Sequence, residues 1–241
     1  MRWFAWLVAV GGTLVALHGC GSSGDPMDGE DALVFRVEGI SGEGLNQVDS
    51  VRPGSADVDV FQNLCVTSGG TGGGGGQTQI SLEPFTQAVF NAVFRNEQKL
   101  DLRLFELVVH FEDDRVGIGD ITQAVNATVI GGRCSNASER ACATADDCVV
   151  GTQRGACNFT STTVSGLLLV DFLAKDSVQP RVWRQAMPVR LTFRARDVAG
   201  NTYQTSAGYT VTFDNFCNCG TNELCCNSAE ECLALQQQQQ Q

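Results

Sequence analysis

Eleven cysteines are the most reactive set in this 241-residue chain, and their spacing decides between disulfide, metal-thiolate and thioether chemistry. Cys134, Cys142, Cys148 and Cys157 form one group; Cys217, Cys219, Cys225, Cys226 and Cys232 form a second; Cys20 and Cys65 stand apart. Structural zinc sites pair cysteines at short, regular intervals around one ion. Cys217-x-Cys219 and Cys225-Cys226 are too irregular for that pattern, so disulfides and no metal cofactor are expected. The second group is odd in number, which makes Cys65 its natural sixth member and leaves Cys20 out. If the groups close separately, four cysteines allow three connectivities and six allow fifteen, and spacing does not choose among them.

Other chemistry is thinly supplied. The histidines are His18 and His110, no His-Glu-x-x-His pair or Gly-x-Ser-x-Gly elbow occurs, and most acid/base and nucleophilic schemes are removed with them. Carboxylates are plentiful, which keeps a carbohydrate-active hydrolase open as a lesser alternative. Aromatic residues for a sugar-stacking cleft are few. Asp113, Asp114 and Asp120, or Asp197 with Asn201, could engage calcium in a metal-dependent surface protein. No EF-hand spacing is present, and a hydrogen-bonded turn accounts for Asp197 and Asn201 more simply. The Gly-rich run 68–77 lacks the Lys-Ser or Lys-Thr of a phosphate loop and reads as a linker. With a formal net charge of −11 and no basic stripe, nucleic-acid binding is not expected. An enzyme is not expected either.

The chain opens with Arg2 followed by the apolar run Trp3 to Leu17, a charged n-region and an h-region too short to span a bilayer. Leu17-His18-Gly19-Cys20 then resembles the lipobox of bacterial lipoproteins, with an aliphatic residue, a small residue and the cysteine in place and His18 as the departure. The resemblance implies that residues 1–19 are a signal peptide, that a diacylglycerol is attached to the Cys20 thiol, and that Cys20 becomes the mature N-terminus. Several acyl chains on one cysteine satisfy the requirement for stable anchoring. Gly21 rather than Asp after the cysteine implies the outer membrane. The membrane is thereby an expected partner through Cys20, and export implies an oxidising compartment suited to disulfides.

These side chains need a scaffold, and its elements are legible as alternation. Residues 20–31 are small and acidic, a tether. Leu33, Phe35 and Val37 share one strand face until Gly39 and the Ser41 to Gly44 stretch. Val58 and Val60 alternate with Asp57 and Asp59 ahead of Cys65. Ala88 to Phe94 suits helix or strand. Leu100, Leu102 and Leu104 alternate, and Leu107, Val109 and Phe111 continue on odd positions, so the slip at Phe105-Glu106 predicts a bulge or a change of sheet. His110 falls on the face opposite Val109 and Phe111, as a half-exposed strand histidine would. Ile121 to Ile130 and Thr160 to Phe172 are further strands, separated by the insertion 134–157, which is held mainly by its bridges.

Leu191, Phe193 and Ala195 face one way, as do Tyr209, Val211 and Phe213, and Asp197-Val198-Ala199-Gly200-Asn201 forms a tight connection between the two strands. Arg190 to Thr202 resembles the final hairpin of bacterial immunoglobulin-like domains, without the antibody pattern of two cysteines around a tryptophan; Trp183 has no such partners. The expected architecture is all-β: an antiparallel immunoglobulin-like sandwich over 32–216, one enlarged domain rather than two, with a disulfide-rich insertion, a cysteine-rich C-terminal cap at 217–235 and a disordered polyglutamine tail at 236–241. The expected function is a non-catalytic, lipid-anchored protein of the bacterial cell envelope, structural or binding an envelope protein or polysaccharide.

Overall fold

The computed structural model describes residues 34–42, 49–67, 79–115, 117–179, 184–221 and 223–239. Cys20, the tether, the Gly-rich run and Trp183 lie outside the described residues. In chain order the strands are β1 (Phe35–Gly42), β2 (Ser50–Arg52), β3 (Ser55–Asp59), β4 (Leu64–Thr67), β5 (Gln79–Leu82), β6 (Ala88–Asn96), β7 (Leu102–Phe111) and β8 (Ile121–Val129). They continue with β9 (Arg133–Cys134), β10 (Ala137–Ala141), β11 (Val149–Val150), β12 (Gln153–Arg154), β13 (Cys157–Asn158), β14 (Thr162–Val170), β15 (Gln185–Arg196), β16 (Thr202–Asp214) and β17 (Glu223–Cys226). Two helices, α1 (Phe172–Val178) and α2 (Ala229–Gln239), complete the described elements.

The body is a sandwich. A six-stranded sheet of order β2-β3-β16-β15-β7-β8 faces a three-stranded sheet of order β1-β6-β14, and one apolar core fills the space between them. Period-two alternation makes this work. Along β15, Met187, Val189, Leu191, Phe193 and Ala195 are buried while the residues between them face outward, which is how a strand with one wet face must read. The same alternation settles β6 as a strand: Ala88, Phe90, Ala92 and Phe94 are buried in strict period two. Across the core Phe193 meets Phe90 and Phe94 edge-on, with ring centroids 6.4 Å and 4.9 Å apart, the arrangement favoured by the ring quadrupole. Both sheets contribute buried residues to this one cluster.

The hairpin β15–β16 pairs without interruption from Gln185↔Phe213 to Arg196↔Thr202. Its turn needs glycine, because Gly200 sits at φ +92°, where a side chain is strained. One pairing departs from the expected antiparallel pattern. β16 runs parallel to β3, since the chain reaches β3 from β2 long before the final hairpin returns to the same sheet edge.

The cap also departs from the expected boundary. It is a separate sheet of order β17-β4-β5 with a small core of Val66, Cys226 and Cys232, so it takes in 64–82 as well as the C-terminal segment. The Gly-rich run separates β4 from β5 in sequence. Where an unstructured tail is expected from Gln236, α2 continues as helix to Gln239. The insertion folds as β10-β9-β13 with the small β11–β12 ribbon, around a core that is little more than its own cysteines. It is docked closely on the sandwich: a Cβ on Gly131 would stand 2.6 Å from the Gln98 carbonyl oxygen. Among the described residues no helix is long and apolar enough to cross a membrane.

Candidate functional site

Ten of the eleven cysteines are joined in five bridges. Cys134–Cys148 and Cys142–Cys157 close the insertion, and Cys65–Cys219, Cys217–Cys225 and Cys226–Cys232 close the cap. The groups thus pair internally, with Cys65 in the second. The sulfurs of Cys134, Cys142 and Cys148 lie within 4.8 Å of one another because two bridges are neighbours there. A disulfide sulfur is no thiolate, so these are not zinc ligands as they stand.

The carboxylates considered for calcium are engaged by the protein itself. Asp114 accepts from the backbone N–H of Gly117, Ile118 and Gly119 at 2.7–2.8 Å. Asp113 binds Arg115 at 3.0 Å. Asp120 meets His110 Nδ1 at 2.7 Å, and both of those side chains are exposed on the outer face of the six-stranded sheet. The nearby Thr192 and Ser206 hydroxyls bond each other at 3.3 Å. Asp197 accepts from Asn201 N–H at 2.9 Å, Asn201 Nδ2 at 2.8 Å and Tyr203 OH at 3.1 Å. Those bonds, the Asn201 side chain first, hold its carboxyl below the usual range.

The densest polar cluster is one the alternation does not reveal. It lies where sandwich and cap meet. Lys175 projects from α1, whose N-cap Asp171 accepts from Ala174 N–H at 2.7 Å. Its ammonium is fully buried and bonds both Asp49 oxygens at 3.1 Å and 2.8 Å, with the Phe85 ring centroid 4.7 Å away. Asp49 also accepts from the Asp59 N–H at 2.8 Å. Burial raises the Asp49 carboxyl, and the Lys175 charge works against that rise. Asp59, fully buried, accepts from Phe61 N–H at 3.1 Å, Phe216 N–H at 3.2 Å and Asn218 Nδ2 at 2.9 Å. Glu83 accepts from Asn63 N–H at 3.0 Å and Asn63 Nδ2 at 2.6 Å, and from Asn218 N–H. Each carboxylate therefore ties segments from distant parts of the chain, and the cluster is a weld between the two bodies.

This weld is pH-sensitive. Burial, with the neighbouring Glu83 charge adding to it, pushes Asp59 from 3.8 up to about 6. Between those values the folded protein keeps a proton that the unfolded chain has released, so stability must fall as pH rises. The contribution is fully present below 3.8 and lost on passing about 6. Asp59→Asn removes this dependence. Calorimetric melts of wild type and variant should show the wild type losing about 1 kcal/mol more than the variant between pH 5 and 7.5. Parallel pH profiles would contradict this assignment.

One surface concavity combines charge with an apolar wall. It is an open cleft of about 640 Å³ at the hairpin end of the outer face, lined by Asp101, Arg103, Phe105, Thr128, Arg196, Asp197 and Val198. The volume lies within the range of small-molecule sites. It owes its shape to the irregularity in β7. Pairing with β15 skips Phe105, running Arg194↔Glu106 and then Ala195↔Leu104. The bulge turns both Phe105 and Glu106 away from the core, as an extra residue in a ladder does, while Leu104 and Leu107 stay buried. Phe105 then supports the Arg196 guanidinium, 5.2 Å from its ring centroid. Asp101 is held by Arg133 at 2.6 Å and 2.7 Å and by Gly131 N–H at 2.9 Å.

No family model, curated protein or solved structure matches this chain.

Proposed function

We propose that this protein is a non-catalytic lipoprotein of the bacterial cell envelope, anchored through lipid on Cys20 and presenting a disulfide-stapled sandwich as a binding platform beside the membrane. The observation that carries the reading is the cysteine balance. Five bridges take up the ten other cysteines, and the eleventh, Cys20, follows Leu17-His18-Gly19. The bridges themselves suit an exported protein. Gly21 favours the outer membrane. The tight turn from Asp197 to Asn201 supports an immunoglobulin-like reading of the final hairpin.

Absence of catalysis is supported by the state of the acidic groups. In the open cleft Asp101 is paired with Arg133 and Asp197 is held ionised by its hydrogen bonds, so neither is placed as a proton donor. The two carboxyls that burial pushes up, Asp49 and Asp59, both lie inside the weld.

Fractionation of cells expressing the full chain tests the anchor. Wild type should sediment with outer membranes and incorporate labelled palmitate, whereas Cys20→Ser should do neither. Wild type in the soluble fraction, or Cys20→Ser retained in membranes, would overturn the proposal.

A further inference from the structure

We infer that the open cleft at the hairpin end binds the carboxylate groups of an acidic saccharide, through Arg103 and Arg196. The inference gives a ligand class to the binding platform proposed above and rests on that reading.

Among the described residues nearly every lysine and arginine has an ion-pair partner. The exceptions are Arg103, Arg140 and Arg196, and two of the three are direct cross-strand partners, Arg196↔Arg103. Like charges placed opposite one another on a sheet repel. Among the described residues no carboxylate forms an ion pair with either guanidinium; of the two carboxylates lining the same cleft, Asp101 is taken by Arg133 and Asp197 by Asn201 and Tyr203. An anion bound between them relieves the repulsion.

The row extends further. Arg103 also pairs with Thr128 on β8, and Arg196 with Thr202 on β16. All four are exposed, so hydroxyl, guanidinium, guanidinium and hydroxyl lie side by side across four strands. Three inter-strand steps make this row about 14 Å long, more than a single inorganic anion needs. The bulge supplies the support: Phe105 lies under Arg196 and presets a long side chain that would otherwise lose rotamer freedom on binding. Val198, 87 % exposed at the turn, gives the cleft an apolar wall.

The direction of the row selects the ligand. It runs across the strands, over a part of the sheet where β7 and β15 are paired on both sides. A peptide that binds by strand addition needs a free backbone edge; both arginines stand on interior strands, and only Thr128 lies on the edge strand β8. A chain bearing hydroxyls and regularly placed carboxylates matches it, with guanidinium forks taking carboxylates bidentately.

Isothermal titration calorimetry on the full-length protein, with a galacturonic acid trimer as probe, tests the inference. The trimer should bind, more weakly as salt rises, while the neutral galactose trimer should not. Arg103→Gln and Arg196→Gln should each bind about tenfold to a hundredfold more weakly, with melting temperatures no lower than wild type, because both side chains are exposed and either change removes the repulsion. Arg140→Gln, altering the third unpaired arginine elsewhere, should bind as wild type. No binding of the acidic trimer, equal binding of the neutral one, or undiminished binding by the two cleft variants would overturn the inference, as would preferential binding of an oligoglutamate peptide. Each of these readouts is independent of Cys20 acylation, so failure here is distinguishable from failure of the anchor.

Discussion

Lys175→Met should destabilise the folded protein by about 3–5 kcal/mol, the range for removing one partner of a buried ion pair. Its ammonium and the Asp49 carboxylate are both fully buried, 2.8 Å apart. Methionine fills much the same volume, so the loss is electrostatic rather than a cavity. It leaves burial of Asp49 unopposed, and Asp49 must either take up a proton or remain as a lone charge away from water. The Asp49 oxygen that accepts from the Asp59 N–H then weakens as an acceptor, and the start of the weld loosens with it. In urea unfolding the Lys175→Met midpoint should fall sharply, and adding Asp49→Asn should restore part of the loss, because the pair costs more broken than absent. A single variant within about 1 kcal/mol of wild type would show that the pair is not holding α1 against the sandwich.

Removing Cys65 and Cys219 together should have the second large effect. Their bridge spans 154 residues, and the chain-entropy relation assigns a loop of that length about 5 kcal/mol. The Cys226–Cys232 bridge spans 6, and the same relation gives about 2 kcal/mol. The Cys65→Ala/Cys219→Ala variant should therefore lose more stability than Cys226→Ala/Cys232→Ala. The loss should fall first on the cap, whose described core is small: Val66, Cys226 and Cys232, with Leu64, Leu224 and Leu235 packed against them. Limited proteolysis should nick it near β17 while the sandwich stays intact. Equal losses for the two double variants would mean that the cap is held by the carboxylate weld alone.

The sandwich was readable in the sequence because its physics is local. Leu191, Phe193 and Ala195 must share a face if the segment is a strand, and the slip at Phe105-Glu106 shows directly as a break in the apolar period. The cysteine groups were readable by parity, with Cys65 needed to make the second even. The cap and weld were not readable in this way. β5 alternates over only four residues, Gln79-Ile80-Ser81-Leu82, and all four are exposed; a pattern that short does not mark it as a strand beside β4. Asp59 looks like one more solvated residue in the Asp57 to Val60 alternation, yet it is buried beside Val58 and Val60 because residues 215–218 return to cover it. Lys175 sits in a short helix whose sequence gives no sign that its charge meets Asp49, 126 positions earlier. Such long-range polar pairings leave no periodic trace. The parallel pairing of β16 with β3 is invisible for the same reason. The open cleft is an intermediate case: the Phe105 irregularity was visible, but the facing of Arg103 and Arg196 depends on inter-strand register.

The proposed function requires lipid on Cys20 and five bridges among the other ten cysteines. Intact mass spectrometry of protein purified from native membranes, with and without reduction before alkylation, tests both parts at once. The expected result is a mass shift of several acyl chains at Cys20, no alkylation before reduction and ten alkylated cysteines after it. An unacylated chain, or free thiols among the ten before reduction, would contradict it.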